Sequence, residues 1–241
     1  MFNRNIFFEK IFELFSNKKI PNIDLHLHTN YTDGKHSPKE MIDFAKKKKI
    51  SALLFSEHSR KLISEDWFFK FEKEIRSYKI RECDILVGTE VKVLNLNGDL
   101  DLSDKIKNKC DIIMGSVHRF PGEEGENFMK KISYDSADVI KTEFDLTMSA
   151  IENPKLDILG HPMGMSIRRF NLKPSLKYFE DIIKKCKKFK KIFEINYRYH
   201  QNINELLELC IKNETLISIG SNAHKKEEIG LVVKHLSKYY K

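Results

Sequence analysis

Seven short apolar runs recur along the chain, and each ends in polar residues before a stretch with a helical pattern. The runs are residues 22–28, 50–58, 83–91, 110–118, 155–162, 191–197 and 215–224. Near-continuous apolar strands that alternate with helices indicate a parallel sheet covered on both faces. Seven such units predict an α/β fold in which the sheet closes, fully or nearly, into a (β/α)7 TIM-like barrel. The alternative is an open doubly wound sheet, but no Gly-rich dinucleotide loop follows the first strand.

One further helix is predicted ahead of the first strand. Within residues 4–17, apolar side chains at positions 7, 8, 11, 12 and 15 form a single helical stripe, and Pro21 ends the pattern. We therefore expect residues 1–20 to form an amphipathic helix packed on a barrel domain of residues 21–241. The charges of this helix are mixed in sign, so a membrane-surface role is the weaker alternative.

Composition narrows the class of partner. The formal net charge is +8, and the lysine runs at 46–50 and 184–191 could attract nucleic acid. They fall on predicted helices, and aromatic residues are not interleaved with them in a way that suggests base stacking, which favours solvated outer helix faces and no nucleic-acid partner. No apolar stretch is long enough to cross a bilayer, and the start lacks a secretory signal pattern. We expect a cytoplasmic protein with no membrane partner; the oligomeric state stays open.

The first apolar run contains the pattern DLHLH, in which His26 and His28 flank one leucine. Side chains alternate between the two faces of a strand, so both imidazoles point the same way. Two imidazoles on one face suit a zinc, manganese or iron ion. For an isolated pair a solvated strand edge is the commoner explanation, so the interpretation depends on further ligands elsewhere.

The other apolar runs supply such ligands at or near their ends. These residues are His58, Glu90, His118, His161, Asn222 and His224. In a parallel β/α barrel the carboxyl ends of the strands meet on one rim, where functional residues collect. Packing does not account for a histidine or glutamate at the end of nearly every strand, because burying so many unpaired imidazoles would be costly. The pattern therefore predicts a metal cluster.

The ordered motifs DLHLHT…DG, SEH, GTEV, GSVH, LGHP and GSNAH resemble those of the PHP (polymerase and histidinol phosphatase) superfamily, over residues 21–226. The motifs are most similar to the histidinol-phosphatase branch. The resemblance implies a distorted seven-stranded barrel that hydrolyses phosphoesters with two or three divalent metals. The implied metal ligands are His26, His28, Asp33, His58, Glu90, His118, His161, Asn222 and His224. Glu90 would bridge two metals, and Glu90, Asp33 and His224 are the implied catalytic residues.

The predicted chemistry fits these ligands. A mixed shell of imidazoles and carboxylates suits zinc, manganese or iron better than calcium or magnesium. Such ions polarise phosphoryl oxygens and lower the pKa of bound water from 15.7 to about 7, so a hydroxide is available as the nucleophile at neutral pH. No side-chain nucleophile is required.

Arginines near the strand ends are candidates for binding the phosphate. A guanidinium can hold phosphate oxygens with two parallel hydrogen bonds. The candidate substrate-binding residues are Arg119, Arg168, Arg169, Arg198, His36 and His200. We favour Arg168 or Arg169, because the histidinol-phosphatase branch has an arginine near that position. Solvated loop positions explain His36 equally well.

Two departures from the family pattern bear on activity. Asn222 stands where the family usually has aspartate, so the site loses one negative charge although the amide oxygen can still coordinate. Residues 197–200 (YRYH) replace the small residues expected after Glu-Ile-Asn, which indicates a different pocket wall and a different substrate.

The function expected from the sequence is metal-dependent hydrolysis of a phosphomonoester of a small metabolite, with histidinol phosphate the substrate that the resemblance suggests. A phosphodiesterase or exonuclease acting on nucleic acid is the enzymatic alternative. A non-catalytic binding domain with a weakened metal site is the alternative from another class, and only Asn222 favours it.

Overall fold

The computed structural model describes residues 2–122 and 135–239, and seven parallel strands in it form one sheet in chain order. The strands are β1 (Ile23–Leu27), β2 (Ala52–His58), β3 (Asp84–Lys92), β4 (Ile112–Ser116), β5 (Ile158–Leu159), β6 (Ile192–Asn196) and β7 (Ile217–Gly220). Each strand falls on one of the predicted apolar runs, to within a residue at its ends. The predicted (β/α)7 barrel is therefore confirmed.

The two edges of the sheet meet just beyond β7, which nearly closes the barrel. The His28 N–H donates to the Ala223 carbonyl at 2.9 Å, and the Ala223 N–H donates to the His26 carbonyl at 3.2 Å. The buried carboxylate of Asp24 holds the same seam, because it accepts a hydrogen bond from the Ser221 N–H at 2.9 Å. This closure brings the two histidines of β1 next to the segment that follows β7.

Helices cover the outside of the barrel. They are α1 (Arg4–Ser16), α2 (Pro38–Lys47), α3 (Asp66–Ser77), α4 (Asp104–Lys107), α5 (Ser136–Ile151), α6 (Leu176–Phe189), α7 (Ile203–Lys212) and α8 (Leu231–Tyr239). A π-helical turn (Met165–Arg169) follows β5, and a 3₁₀ turn (Lys226–Glu228) follows β7. In the two described parts of the chain, every helix is too short or too polar to span a bilayer.

The helix predicted ahead of the first strand is α1, which packs near β7 and α7. It begins at Arg4 because the Asn3 side chain accepts a hydrogen bond from the Ile6 N–H at 3.2 Å. Its apolar stripe buries Phe8, Ile11 and Phe15. Burial of each such side chain stabilises the fold by about 1.5–3 kcal/mol, which fixes the helix on the barrel.

The lysine runs lie at the amino end of the barrel and differ in part from the prediction. Helix α2 ends at Lys47, so Lys48 and Lys49 lie exposed in the connection to β2, and Ile50 at the end of the run is buried. In the second run, Lys191 is buried, and its Nζ donates to the carbonyls of Asn153 (2.8 Å) and Leu156 (2.7 Å). The prediction of a solvated helix face is therefore wrong for Lys191. Its ammonium joins two loops, at the end of the barrel opposite to the carboxyl ends of the strands.

Candidate metal centre

The carboxyl ends of the strands surround a cavity of about 1210 Å³. The predicted ligands that line it are Asp33, His58, Glu90, His118, His161, Asn222 and His224. The other two, His26 and His28, are fully buried beside Glu90. The structure thus brings all the predicted ligand positions into one region.

Glu90 lies at the centre of this region. Two imidazoles face one of its carboxylate oxygens, and three face the other. Its Oε1 is 2.8 Å from His161 Nε2 and 3.0 Å from His118 Nε2. Its Oε2 is approached at 3.3–3.4 Å by the ring nitrogens of three histidines, which are His26, His28 and His58. A carboxylate with ring nitrogens at both oxygens has the geometry expected of a bridging ligand.

A second group forms around Asp33, on the loop after β1. Asp33 Oδ2 is 3.1 Å from His224 Nε2 and 3.6 Å from His58 Nε2, and Asp33 Oδ1 is 3.9 Å from His28 Nδ1. His28 and His58 face both carboxylates, so the two groups are continuous. Among the residues that the structure describes, three sets of potential ligands result, each with its ligand atoms within 4.8 Å of one another.

Several buried polar atoms of the site have no hydrogen-bond partner among the described residues. They are His28 Nδ1, Glu90 Oε2, His161 Nδ1 and Asn222 Oδ1. Leaving a buried polar atom unpaired costs about 1–3 kcal/mol. Lone pairs from four residues in one small region would be satisfied together by divalent cations, so the residues present fit a metal cluster.

Burial keeps part of the cluster in the form that binds metals. It lowers the pKa of His58 to about 4 and the pKa of His28 well below its ordinary value. Burial alone would also lower the pKa of His26, but the carboxylates of Glu194 and Glu90 raise it to about 10. Neutral imidazole is the metal-binding form, so His28 and His58 are ready ligands.

Glu194 on β6 is a site residue that the sequence reasoning missed. Its Oε1 is 2.7 Å from His26 Nδ1 and accepts a hydrogen bond from Asn196 Nδ2 at 2.9 Å. An Nδ1–H donated to Glu194 leaves His26 Nε2 directed at Glu90. The sequence did contain one signal for this role, which is a charged residue in an otherwise apolar strand. Glu194 and Asn196 are two positions apart, so they share one face of that strand.

Glu57 supports the loop that carries Asp33. It is fully buried, and its Oε1 accepts hydrogen bonds from the Thr29 N–H (2.7 Å) and hydroxyl (2.5 Å). Its Oε2 accepts a hydrogen bond from the Thr32 hydroxyl. Burial raises the pKa of Glu57 to about 7. Glu57 thus supports this loop from the strand face opposite to His58.

Cationic side chains line the cavity around the cluster. All four predicted arginines are among them, and so are two residues that the sequence reasoning did not single out, Arg60 and Lys92. Arg198 contacts one of the predicted ligands, with Nη1 2.9 Å from His224 Nδ1. Tyr199 stacks on the His161 ring, with centroids 4.0 Å apart and planes 14° apart. Two residues of the departure at 197–200, Arg198 and Tyr199, therefore form part of the cavity wall.

The two histidines predicted to contact substrate lie elsewhere. His36 is not among the described residues that line the cavity, and its Nδ1 accepts a hydrogen bond from the Lys226 N–H at 3.2 Å. His200 is buried and borders a second cavity of about 610 Å³, which shares Arg168 and Arg198 with the first. Substrate contact by either histidine stays a prediction.

Asn222 has a left-handed backbone conformation, with φ of 51°. Asparagine is one of the few residues other than glycine that adopt this region readily. Its side chain is buried, and the carbonyl of Asn222 accepts a hydrogen bond from Arg198 Nη1 at 3.3 Å. Asn222 and His224 both line the cavity.

Comparison with known proteins follows the same motifs. The sequence model of the PHP domain family matches residues 24–218. A curated relative from Clostridium acetobutylicum, named a probable phosphatase, is 27% identical over 219 residues. That match covers 86% of this chain and 81% of the relative.

Two solved structures share the fold. A protein from Listeria monocytogenes named as a histidinol phosphatase has a TM-score of 0.71 at 17% identity, covering 88% of this chain and 98% of its own. A histidinol phosphate phosphatase from Lactococcus lactis, solved with zinc, L-histidinol and phosphate, has a TM-score of 0.64 at 16% identity. That match covers 91% of this chain and 94% of the other. The likeness is one of barrel architecture.

Proposed function

The chain belongs to the PHP domain family, and from this premise we propose that it is a metal-dependent phosphatase that hydrolyses a phosphomonoester of a small metabolite. The observation that carries the proposal is Glu90, whose two carboxylate oxygens each face imidazole nitrogens in a cavity walled by arginines. Ligands for several cations and side chains that bind phosphate thus meet in one place.

We propose two or three divalent ions of zinc, manganese or iron. The sets that would hold them are His28 with Asp33, His58 and His224; His26 with His28 and Glu90; and His58 with Glu90 and His118. When bound, such ions would supply Lewis acidity to the phosphoryl oxygens and lower the pKa of a water molecule toward neutrality. The imidazole ligands favour these metals over calcium and magnesium.

The chain's own residues would bind and orient the substrate. Arg198 lies against His224, so its guanidinium can contact a phosphoryl oxygen at the cluster. Arg168 and Arg169 line the cavity from the turn after β5 and would hold the remaining oxygens. Tyr199, stacked on His161, would hold that ring in place and lines the cavity beside it.

The arrangement of charge favours a phosphomonoester over a polynucleotide. A terminal phosphate dianion is best held by convergent arginines, whereas a polynucleotide needs an extended basic groove. The lysine runs at 46–50 and 184–191 lie in or next to helix-to-strand connections, at the end of the barrel opposite to the cavity. They therefore do not extend the basic surface around the cluster.

The experiment is a substrate panel with metal analysis of the same sample, purified without chelator. We expect two to three transition-metal ions per chain and hydrolysis of small phosphomonoesters. Histidinol phosphate is the first substrate to try, since one structural relative binds L-histidinol and phosphate. Fewer than one ion per chain would contradict the metal cluster. Efficient degradation of single-stranded DNA, weakening steeply between about 50 and 200 mM salt, would reverse the choice between phosphatase and exonuclease.

A further inference from the structure

Two buried carboxylates hold the loop that follows β5, and they come from different elements. This β5 loop (residues 160–175) carries the predicted ligand His161 near its start and Arg168 farther along. Glu194 on β6 accepts a hydrogen bond from the His161 N–H at 2.7 Å. Glu143 on α5 accepts hydrogen bonds from the backbone nearer the arginines. The start of the loop and the turn in its middle therefore have separate anchors.

Glu143 caps the π-helical turn from a different helix. Its Oε1 accepts a hydrogen bond from the Met165 N–H at 2.8 Å, and its Oε2 accepts one from the Ser166 N–H at 2.6 Å. The first N–H groups of a helical turn have no acceptor within that turn, and Gly164 before it has no side chain to supply one. Both residues are buried, so the carboxylate satisfies two donors that have no acceptor within the turn.

This position is costly for a carboxylate. Glu143 is 1% exposed, and burial raises the pKa of its carboxyl to about 7. It is not among the described residues that line the cavity, so it does not contact the substrate there. The buried carboxylate of Glu143 therefore fixes the backbone of the turn.

The two residues that Glu143 binds also form backbone hydrogen bonds with the segment that follows the arginines. The Phe170 N–H donates to the Met165 carbonyl at 3.2 Å, and the Leu172 N–H donates to the Ser166 carbonyl at 2.8 Å. Both arginines of the turn lie between these paired residues and reach the cavity. A shift of the anchored backbone would therefore shift both guanidinium groups.

We propose that Glu143 is a positioning residue that holds Arg168 and Arg169 against the substrate phosphate and leaves metal binding to other anchors. The inference rests on the proposed phosphatase function of the cavity. Because Glu194 independently fixes His161, loss of Glu143 should weaken phosphate binding and leave the metal content unchanged.

The first test compares Glu143→Gln with the wild type and with Glu152→Gln. Glutamine keeps the size and one acceptor oxygen but loses the charge and the second acceptor. Glu152 is the control, because it lies at the exposed end of the same helix and pairs with Lys185 at 2.5 Å. We expect Glu143→Gln to raise both KM and the inhibition constant of inorganic phosphate about tenfold. We expect kcat to change by less than KM, the metal content to stay the same, and Glu152→Gln to behave as the wild type.

The second test is a double-mutant cycle, which distinguishes an effect through the arginines from a merely structural role of Glu143. Arg168→Gln and Arg169→Gln are combined, and Glu143→Gln is added to that background. If Glu143 acts through the arginines, its substitution changes phosphate binding little once they are gone. An equal further loss in the arginine-free background would overturn the proposal.

Other results would also overturn it. These are unchanged KM and phosphate inhibition in a folded Glu143→Gln protein, or a parallel loss of metal. If the wild type hydrolyses no phosphomonoester, the proposed function fails, but calorimetric titration of the metal-loaded proteins with inorganic phosphate still tests Glu143. Phosphate that binds the wild type and Glu143→Gln equally, or binds neither, rejects the positioning role.

Discussion

Gly220 on β7 faces the side chain of His26 so closely that a Cβ at position 220 would overlap the Cβ of His26. The same added atom would lie 2.5 Å from Oε1 of Glu194. Cβ atoms in folded proteins do not approach other atoms so closely, so any larger residue must displace one of these groups. The bare backbone of β7 is what allows a buried imidazole and a buried carboxylate to meet there.

Gly220→Ala should therefore weaken metal binding by displacing His26, and should cost about 1–3 kcal/mol of stability through overpacking. Chelator competition measures the first effect and urea unfolding of the metal-free protein the second. Gly115→Ala is the matched control, because a Cβ there would meet the flexible end of Leu156, 2.6 Å away and outside the ligand set. We expect the control to lose stability and keep its metal affinity. Normal metal affinity in a folded Gly220→Ala protein would show that the contact does not set the position of His26.

Glu90→Gln should abolish hydrolysis and leave the barrel intact. The substitution removes the negative charge that lies between the two groups of imidazoles. It also replaces one of the two acceptor oxygens of Glu90 by an NH2 group, which is a donor. We expect turnover to fall by at least about 100-fold and the metal content per chain to fall with it, since a bridging charge holds more than one ion. Steady-state kinetics with elemental analysis checks both, and circular dichroism reports the fold. Near-normal turnover would show that Glu90 is not a bridge.

The strands and the region of the site could be predicted from the sequence because each rests on a short local pattern. A run such as residues 83–91 is apolar enough to be a buried strand wherever it lies. In a parallel barrel the end of every strand lies on the same rim, so a histidine such as His58 or His161 can be assigned to that rim without knowing its partners. Once the barrel fold was predicted, the positions of these ligands followed from it.

Residues whose roles depend on distant partners could not be found this way. Glu194 contacts His26, which is 168 positions away in the chain, and no local pattern reports that contact. Glu143 lies on a helix, where a glutamate is ordinarily a solvated residue, and its donors are in a loop of irregular conformation. His36 and His200 show the converse, because closeness to a strand end does not fix the direction of a loop side chain.

His200 should make stability depend on pH in the acid range. Its Nδ1 accepts a hydrogen bond from the Asn196 N–H at 3.1 Å, and its Nε2 lies 3.0 Å from the Pro162 carbonyl, which fixes a neutral ring. Burial lowers the pKa of His200 from 6.5 to about 4. Between these values the unfolded chain binds a proton that the folded protein excludes. The free energy of unfolding therefore falls as the pH falls through this window, and the loss reaches about 2–3 kcal/mol near pH 4.5.

Urea unfolding of the metal-free protein at pH 7.5 and about pH 4.5 measures this loss, and His200→Gln isolates it from the other buried histidines. Glutamine can donate and accept at similar positions but does not titrate. We expect the difference in stability between the two pH values to be smaller in the variant by about 2–3 kcal/mol. Equal pH dependence in both proteins would mean that His200 is not held neutral in the folded state.

Asn222→Asp should strengthen metal binding at the position that residue 222 would share with His26 and His28. The left-handed conformation at residue 222 tolerates aspartate nearly as well as asparagine, so the backbone need not move. The buried Oδ1 of Asn222 has no hydrogen-bond partner among the described residues, and a carboxylate oxygen there adds a negative charge in a region of low dielectric. We expect metal affinity to rise by about one to two orders of magnitude, measured by chelator competition.

Phosphatase activity need not rise with that affinity, because a metal with a more electron-rich ligand is a weaker Lewis acid. Rates of both proteins with added manganese or zinc therefore separate two hypotheses about Asn222. If the wild type is active once metal is supplied, the amide marks a weakly held ion in a working enzyme. If the wild type is inactive at every metal concentration and only the aspartate variant is active, the non-catalytic domain is the better description. Equal affinity in the two proteins would show that residue 222 is not a ligand, because an added charge beside a bound cation cannot leave its affinity unchanged.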